Sequence, residues 1–215
     1  MTQDTINHHL TEDLLADYAT GVLDEAFALA VATHVSLCDE CRARLGALEA
    51  LGGSVLETAG AVAMDEGSLD AVFARIAGGP GDTKPRRSAG VLPAPLQDYV
   101  GGDLAAVRWR PVGMGVRQAI LRTCGTGRAR LLYIPAGVAV PDHGHNGREL
   151  TLVLQGAFRD EDGRFARGDV ECADEAVEHT PVAELGEDCI CLAVTDAPLK
   201  FRRLIHKVAQ PFLRI

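Results

Sequence analysis

Residues 78 to 95 read Gly-Gly-Pro-Gly-Asp-Thr-Lys-Pro-Arg-Arg-Ser-Ala-Gly-Val-Leu-Pro-Ala-Pro, eight glycines or prolines in eighteen positions. Glycine leaves the backbone too free and proline removes a donor, so neither a helix nor a ladder strand runs comfortably through such a segment. The composition predicts a linker over 78–95 that divides the chain into residues 1–77 and 96–215. The hydrophobic period changes across it, so the two parts are expected to fold differently.

The first part has helical spacing. Thr11-Glu-Asp-Leu-Leu-Ala-Asp-Tyr-Ala-Thr-Gly21 predicts a short helix with Thr11 as N-cap, acids in the first turn and Gly21 as the stop. A second helix is expected from about Asp24 to Leu37, where Phe27, Ala30, Val31 and His34 recur at three- and four-residue intervals. Arg42 to Leu56 reads as a third, with Leu45, Leu48 and Leu51 inward. Ser68 is expected to cap a fourth, whose stripe Leu69, Val72, Phe73 and Ile76 would ordinarily pack on its own domain.

The second part predicts short strands. Val107–Val112, Gln118–Leu121, Ala129–Ile134, Leu150–Leu154, Cys189–Val194 and a segment from Lys200 are separated by Gly, Pro and Asp turns. Such a series argues for a β-sandwich or barrel. The expected fold is therefore multidomain, a bundle of about four helices linked to an all-β domain.

Each part carries a metal-type motif. In His34-Val-Ser-Leu-Cys38-Asp-Glu-Cys41, His34 and Cys38 are i,i+4 neighbours and Cys41 follows one turn later, so three ligands can converge. Tetrahedral zinc wants a fourth, and either His8 or His9 can supply it. In the second part, His143 and His145 stand at i and i+2, on one side of a strand, with Glu149 four residues on. That donor set suits a borderline divalent ion. The wider spacing, Gly137-x5-His143-x-His145-x3-Glu149-x6-Gly156, resembles the first signature of the cupin family. Gly168 and His179 stand where the second cupin signature has its glycine and histidine, which implies His179 as a fourth ligand. Asp174, Ala176 and Ala183 depart from that second signature. An open coordination position would make the centre catalytic; a closed one would make it structural.

Charge and cysteine usage narrow the function. Residues 1 to 77 hold 13 acidic residues and 3 arginines, a balance of −10 in a chain whose net charge is −9. Phosphate contacts need Lys and Arg, so this part is a poor nucleic-acid binder and suits a basic protein partner. No run reaches the length of a membrane span and the N-terminus is acidic and polar, so a cytoplasmic protein is expected. Cys189 and Cys191 share one face of a predicted strand, either as inert core thiols or as a candidate redox-sensing pair.

A His-x3-Cys-x2-Cys helical module joined by a linker to a cupin resembles the ChrR family of anti-sigma factors. The resemblance covers nearly the whole chain. It implies an anti-sigma domain over about 1–77 whose zinc is held by His9, His34, Cys38 and Cys41, and a cupin-like sensor domain with metal at His143, His145, Glu149 and His179. Two zinc ions per chain are implied, the second less firmly identified as zinc. The implied activity is sequestration of an extracytoplasmic-function sigma factor, released under singlet oxygen or related oxidative stress, without enzymatic turnover. The alternative is a metal-dependent cupin enzyme of dioxygenase type with an accessory zinc domain.

Overall fold

The computed structural model describes residues 5–79, 89–140, 143–144, 146–174, 178–198 and 200–201. Four helices precede the Gly/Pro-rich segment: α1 (Glu12–Ala19), α2 (Glu25–Val35), α3 (Asp39–Glu57) and α4 (Ser68–Ala77). Thr11 caps α1, its side-chain oxygen accepting from the Leu14 amide at 3.4 Å. Asp24 caps α2, accepting from Ala26 N at 3.0 Å. Helix α3 starts three residues earlier than the sequence predicts, because the Cys38 sulfur accepts the Cys41 amide and serves as its cap. At α4 the cap is Gly67, at φ 82°, and Ser68 is the first helical residue.

A fifth helix, α5 (Ala94–Val100), begins inside the stretch predicted as linker. Pro93 presets its entry, and Leu92 and Leu96 are fully buried. The end of the Gly/Pro-rich segment is thus packed structure.

Twelve strands follow among the described residues: β1 (Arg110–Gly113), β2 (Val116–Ile120), β3 (Arg128–Ile134), β4 (His143–Gly144), β5 (Glu149–Gln155), β6 (Ala157–Arg159), β7 (Arg164–Ala166), β8 (Val170–Ala173), β9 (Glu178–His179), β10 (Val182–Ala183), β11 (Cys189–Thr195) and β12 (Lys200–Phe201). They form a six-stranded sheet in the order β1-β2-β3-β11-β5-β8 and two three-stranded sheets, β10-β6-β7 and β12-β4-β9. All pairings are antiparallel. At the β5–β6 turn Gly156 sits at φ 65°, and a Cβ there would lie 2.7 Å from the Asp188 carbonyl oxygen. Only glycine closes that turn.

The large sheet is covered on both faces. Ala129, Leu131, Leu150, Leu152, Leu154, Ile190, Leu192 and Val194 share a core with residues of α1, α2 and α3. On the opposite face Ile134, Val153, Cys189 and Cys191 pack with Phe158 and Phe165 of the small sheet. This double burial explains why β5 and β11 read as almost unbroken apolar runs.

Helix α2 lies between the other helices and the sheet, touching β11, β5 and β3. Polar contacts register this docking. The second Asp24 carboxylate oxygen accepts from Thr126 N at 2.9 Å and Gly127 N at 3.1 Å, so one side chain caps a helix and holds the β2–β3 loop. Those bonds, the one from Gly127 foremost, hold its carboxyl below the usual range. Glu25 accepts from Tyr99 Oη at 2.6 Å and from the Cys124 amide.

Candidate metal centres

The first cluster is assembled by a chain entry, a helix end and a helix start. Residues 5 to 10 run against the β7–β8 turn, α2 carries His34 in its last turn, and the turn into α3 carries Cys38 and Cys41. His9 Nδ1 lies 3.3 Å from Cys38 Sγ and 3.6 Å from Cys41 Sγ, and one donor atom from each of His9, His34, Cys38 and Cys41 falls within 4.8 Å of the others. A tetrahedron with zinc bonds of 2.0–2.3 Å has edges of about 3.3–3.8 Å, so the separations suit a zinc ion. Of the paired histidines His9 faces the thiols. His8 packs tilted against Phe165 with ring centroids 4.3 Å apart and places Nδ1 3.5 Å from Asp169.

His34 is fully buried, and its ring orientation is fixed from outside the cluster. Its Nδ1 sits 2.9 Å from the Gly168 carbonyl oxygen and donates to it, which leaves Nε2 as the lone-pair nitrogen. Nε2 is buried and has no hydrogen-bond partner among the described residues. A buried lone-pair nitrogen facing two cysteines and a histidine fits a metal ligand. Gly168 stands at φ 94°, where a Cβ would lie 2.6 Å from Ile6, so the close approach of that carbonyl requires glycine. The Glu40 carboxylate lies 3.4 Å from His9 Nε2, a partner that steadies the ring from behind. Burial, and less so the neighbouring Cys38, pushes the Cys41 thiol up, so two thiolates here need a cation between them.

Burial also lowers the His34 pKa from 6.5 to about 4. The folded pKa is depressed, so between these two values the unfolded chain binds a proton that the folded chain refuses, and stability rises with pH there. A chelated sample should therefore lose about 2–3 kcal/mol from this ring as pH falls from 7 towards 4, at about 1.4 kcal/mol per unit. Ring NMR should find His34 neutral at pH 5.5, with urea midpoints falling below pH 6.5; protonation of the folded ring near 6.5 would contradict the burial argument.

The second cluster is only partly within the described residues. Glu149 opens β5 and His179 ends β9, both buried, and the backbone of His143 pairs with that of His179 between β4 and β9. His145 and the His143 side chain lie outside the described residues. Two carboxylates that the sequence did not point to surround His179. Its Nδ1 is 2.7 Å from Glu171 Oε1 and 3.0 Å from Asp160 Oδ2. Burial opposes charge on this ring, but the bonds to Glu171 and Asp160 outweigh it and raise the pKa to about 9. Burial raises Glu171 to about 7, while Asp160 is held low despite its own burial by its bonds to Glu171 and His179. With Nδ1 fixed by carboxylates, Nε2 is the nitrogen left for a metal.

Asp160 and Glu171 could have been suspected. Asp160 stands in the tight turn between β6 and β7, and Glu171 is an acid on the inward side of an otherwise apolar strand. Only the register, Thr151 opposite Glu171 and Glu149 opposite Ala173, brings them to the centre. A cavity of about 230 Å³ opens beside Glu149, Glu171 and His179.

Cys189 and Cys191 lie on the inner face of β11 with sulfurs 3.4 Å apart, both buried and free. The contact with Cys189 and complete burial push the Cys191 thiol well up, which disfavours the reactive thiolate.

One surface contrasts with all of this. On α4, Leu69 is 66 % exposed, Val72 44 %, Phe73 59 % and Ile76 67 %, so the stripe expected to pack on its own domain is open. Leu51, expected inward, is also exposed, with Val55 and Leu56 further along α3. Helix α3 outruns the bundle after Leu48, the last of its leucines to touch the core.

Comparison with known proteins places this architecture. A family model described as the ChrR cupin-like domain matches residues 97–198. The chain is 61 % identical over 212 residues to the anti-sigma-E factor ChrR of Cereibacter sphaeroides, covering 98 % of this chain and all of that one. It also superposes on the crystal structure of Rhodobacter sphaeroides SigE in complex with the anti-sigma ChrR, with a TM-score of 0.80, 62 % identity, and coverage of 89 % of this chain and all of that one. None of the described helices is long and apolar enough to cross a membrane. With likeness of that degree along the relative's entire length, joined to a His/Cys cluster on helices and a cupin-like domain, the chain belongs to the ChrR family of anti-sigma factors.

Proposed function

We propose that this chain binds and sequesters an extracytoplasmic-function sigma factor and so inhibits transcription, as a cytoplasmic regulator that neither contacts nucleic acid nor turns over a substrate. The observation that carries the reading is the open apolar face of α4, four large side chains at i, i+3, i+4 and i+7, none of them buried among the described residues. A relative whose whole length matches 89 % of this chain is seen in complex with SigE, and the −10 balance of residues 1–77 suits a basic sigma surface. Zinc held by His9, His34, Cys38 and Cys41 would fix the angle between α2 and α3. A second ion at His143, His145, Glu149 and His179 would supply a rigid centre to the sensor domain.

The β7–β8 turn supports a role for that domain in release under singlet oxygen or related oxidative stress. Glu171 holds His179, and the adjoining residues Gly168 and Asp169 hold His34 and the backbone amides of Asn7 and His8. A disturbance at the cupin-type centre therefore reaches the helical module through a few residues of β8. In vitro transcription with core RNA polymerase and such a sigma factor tests the reading: stoichiometric addition of the full chain should reduce sigma-dependent transcript to background, with a co-eluting complex. Unchanged transcription would favour the enzyme alternative, for which the cavity beside Glu149 and His179 is the supporting observation.

A further inference from the structure

The cavity beside the cupin-type centre contains an unexplained cation. Arg130 lines it and is only 4 % exposed. Its place follows from strand parity: Ala129 and Leu131 face the helices, so Arg130 and Leu132 face the interior. The register puts Ala193 opposite Arg130 and Thr151 opposite Ala193, so a small residue leaves room for the arginine arm. No hydrogen bond or ion pair engages its guanidinium among the described residues. Glu149 acts on it only through space, with one carboxylate oxygen accepting from Thr151 at 3.1 Å. A guanidinium stays charged in a protein, and burying it unpaired is costly.

The rest of the cavity is divided by polarity. Gln118, Thr151 and Thr195 lie on the same inner sheet face as Arg130; Leu132, Ile134, Val140 and Phe158 form an apolar wall, and Glu149, Glu171 and His179 line the metal-type end. A planar anion satisfies the arginine fork with two parallel hydrogen bonds, and a hydrocarbon body satisfies the apolar wall. We propose that the cavity binds a small monocarboxylic acid with an apolar tail, its carboxylate held by Arg130. The site does not depend on sigma-factor capture. It gives the sensor domain a ligand class, distinct from the metal that Glu149 and His179 suit.

Octanoate is the probe, with 1-octanol as its uncharged counterpart, titrated calorimetrically into the full metal-replete chain. Octanoate should bind one to one and at least about tenfold more tightly than 1-octanol, a difference of about 1.4 kcal/mol. Arg130→Met should lose that preference while retaining metal content and thermal midpoint, because removing an unpaired buried charge is not expected to destabilise the fold. Equal affinity for the two probes, or no octanoate binding, overturns the proposal without any variant being needed. So does octanoate binding that survives Arg130→Met but disappears on chelation, which would place the carboxylate on the metal.

Discussion

Cys38→Ala should remove the metal from the helical module and abolish sigma-factor capture in one step. The sulfur has two duties: it is one of four donors within 4.8 Å, and it caps α3 by accepting the Cys41 amide. Loss of a cap alone costs about 1 kcal/mol. The metal is the larger matter, because structural zinc in zinc-finger peptides binds with an apparent free energy of about 10–16 kcal/mol at neutral pH. Residues 5–57 have a modest apolar core of their own, Leu10, Leu14, Leu15, Phe27, Leu29, Val31 and Leu45, much of it shared with the sheet. Elemental analysis should show one equivalent of zinc fewer in the variant, and the sigma factor should elute free of it. The thermal transition of the β-domain should fall as well, since one face of its large sheet shares a core with the helices, while the core on the opposite face contains no residue of the helical module. A Cys38→Ala chain that retains both its zinc and the sigma factor would show that His9, His34 and Cys41 do not share an ion with Cys38.

What was legible in the sequence was local. The Thr11 and Asp24 caps, the His34-x3-Cys38-x2-Cys41 spacing and the central strands are each set by a few neighbouring residues, and each stands close to where the spacing put it. What stayed hidden depends on residues far apart in the chain. Helix α2, Glu-Ala-Phe-Ala-Leu-Ala-Val-Ala-Thr-His-Val, is apolar nearly all round, which signals burial on every side, yet nothing in it names the sheet as the second partner. The Gly168 carbonyl on His34 spans 134 residues of sequence, and Asp160 reaches His179 only through the pairing of separate hairpins. The stripe on α4 is amphipathic, as its spacing predicts, yet it is exposed where such a stripe ordinarily packs on its own domain. Periodicity reports that a face wants burial; it does not report whether the burying surface belongs to the same chain.

That last distinction leads to the second large effect. Phe73→Asp should weaken sigma-factor binding by at least about a hundredfold, while leaving the unfolding midpoint of the free protein within about 0.5 kcal/mol of the parent, the usual range for an exposed site. Phe73 is 59 % exposed at the centre of the α4 stripe, between Leu69 and Ile76, and no residue of α4 is buried. In the free protein an aspartate there meets water. In a complex it would carry a charge into an apolar contact, losing the about 1.5–3 kcal/mol of a buried phenylalanine and adding the desolvation of a carboxylate. A hundredfold is about 2.8 kcal/mol, so even partial burial of this side chain suffices. Arg75→Ala, on the same helix but outside the stripe, is the control and should change affinity by less than about threefold, as expected of a rim position. The pair separates a docking face from general disturbance of α4: equal weakening by both variants would indicate that the helix merely needs to be intact. Unchanged binding with Phe73→Asp would move the sigma contact to another surface and leave the open stripe without its partner.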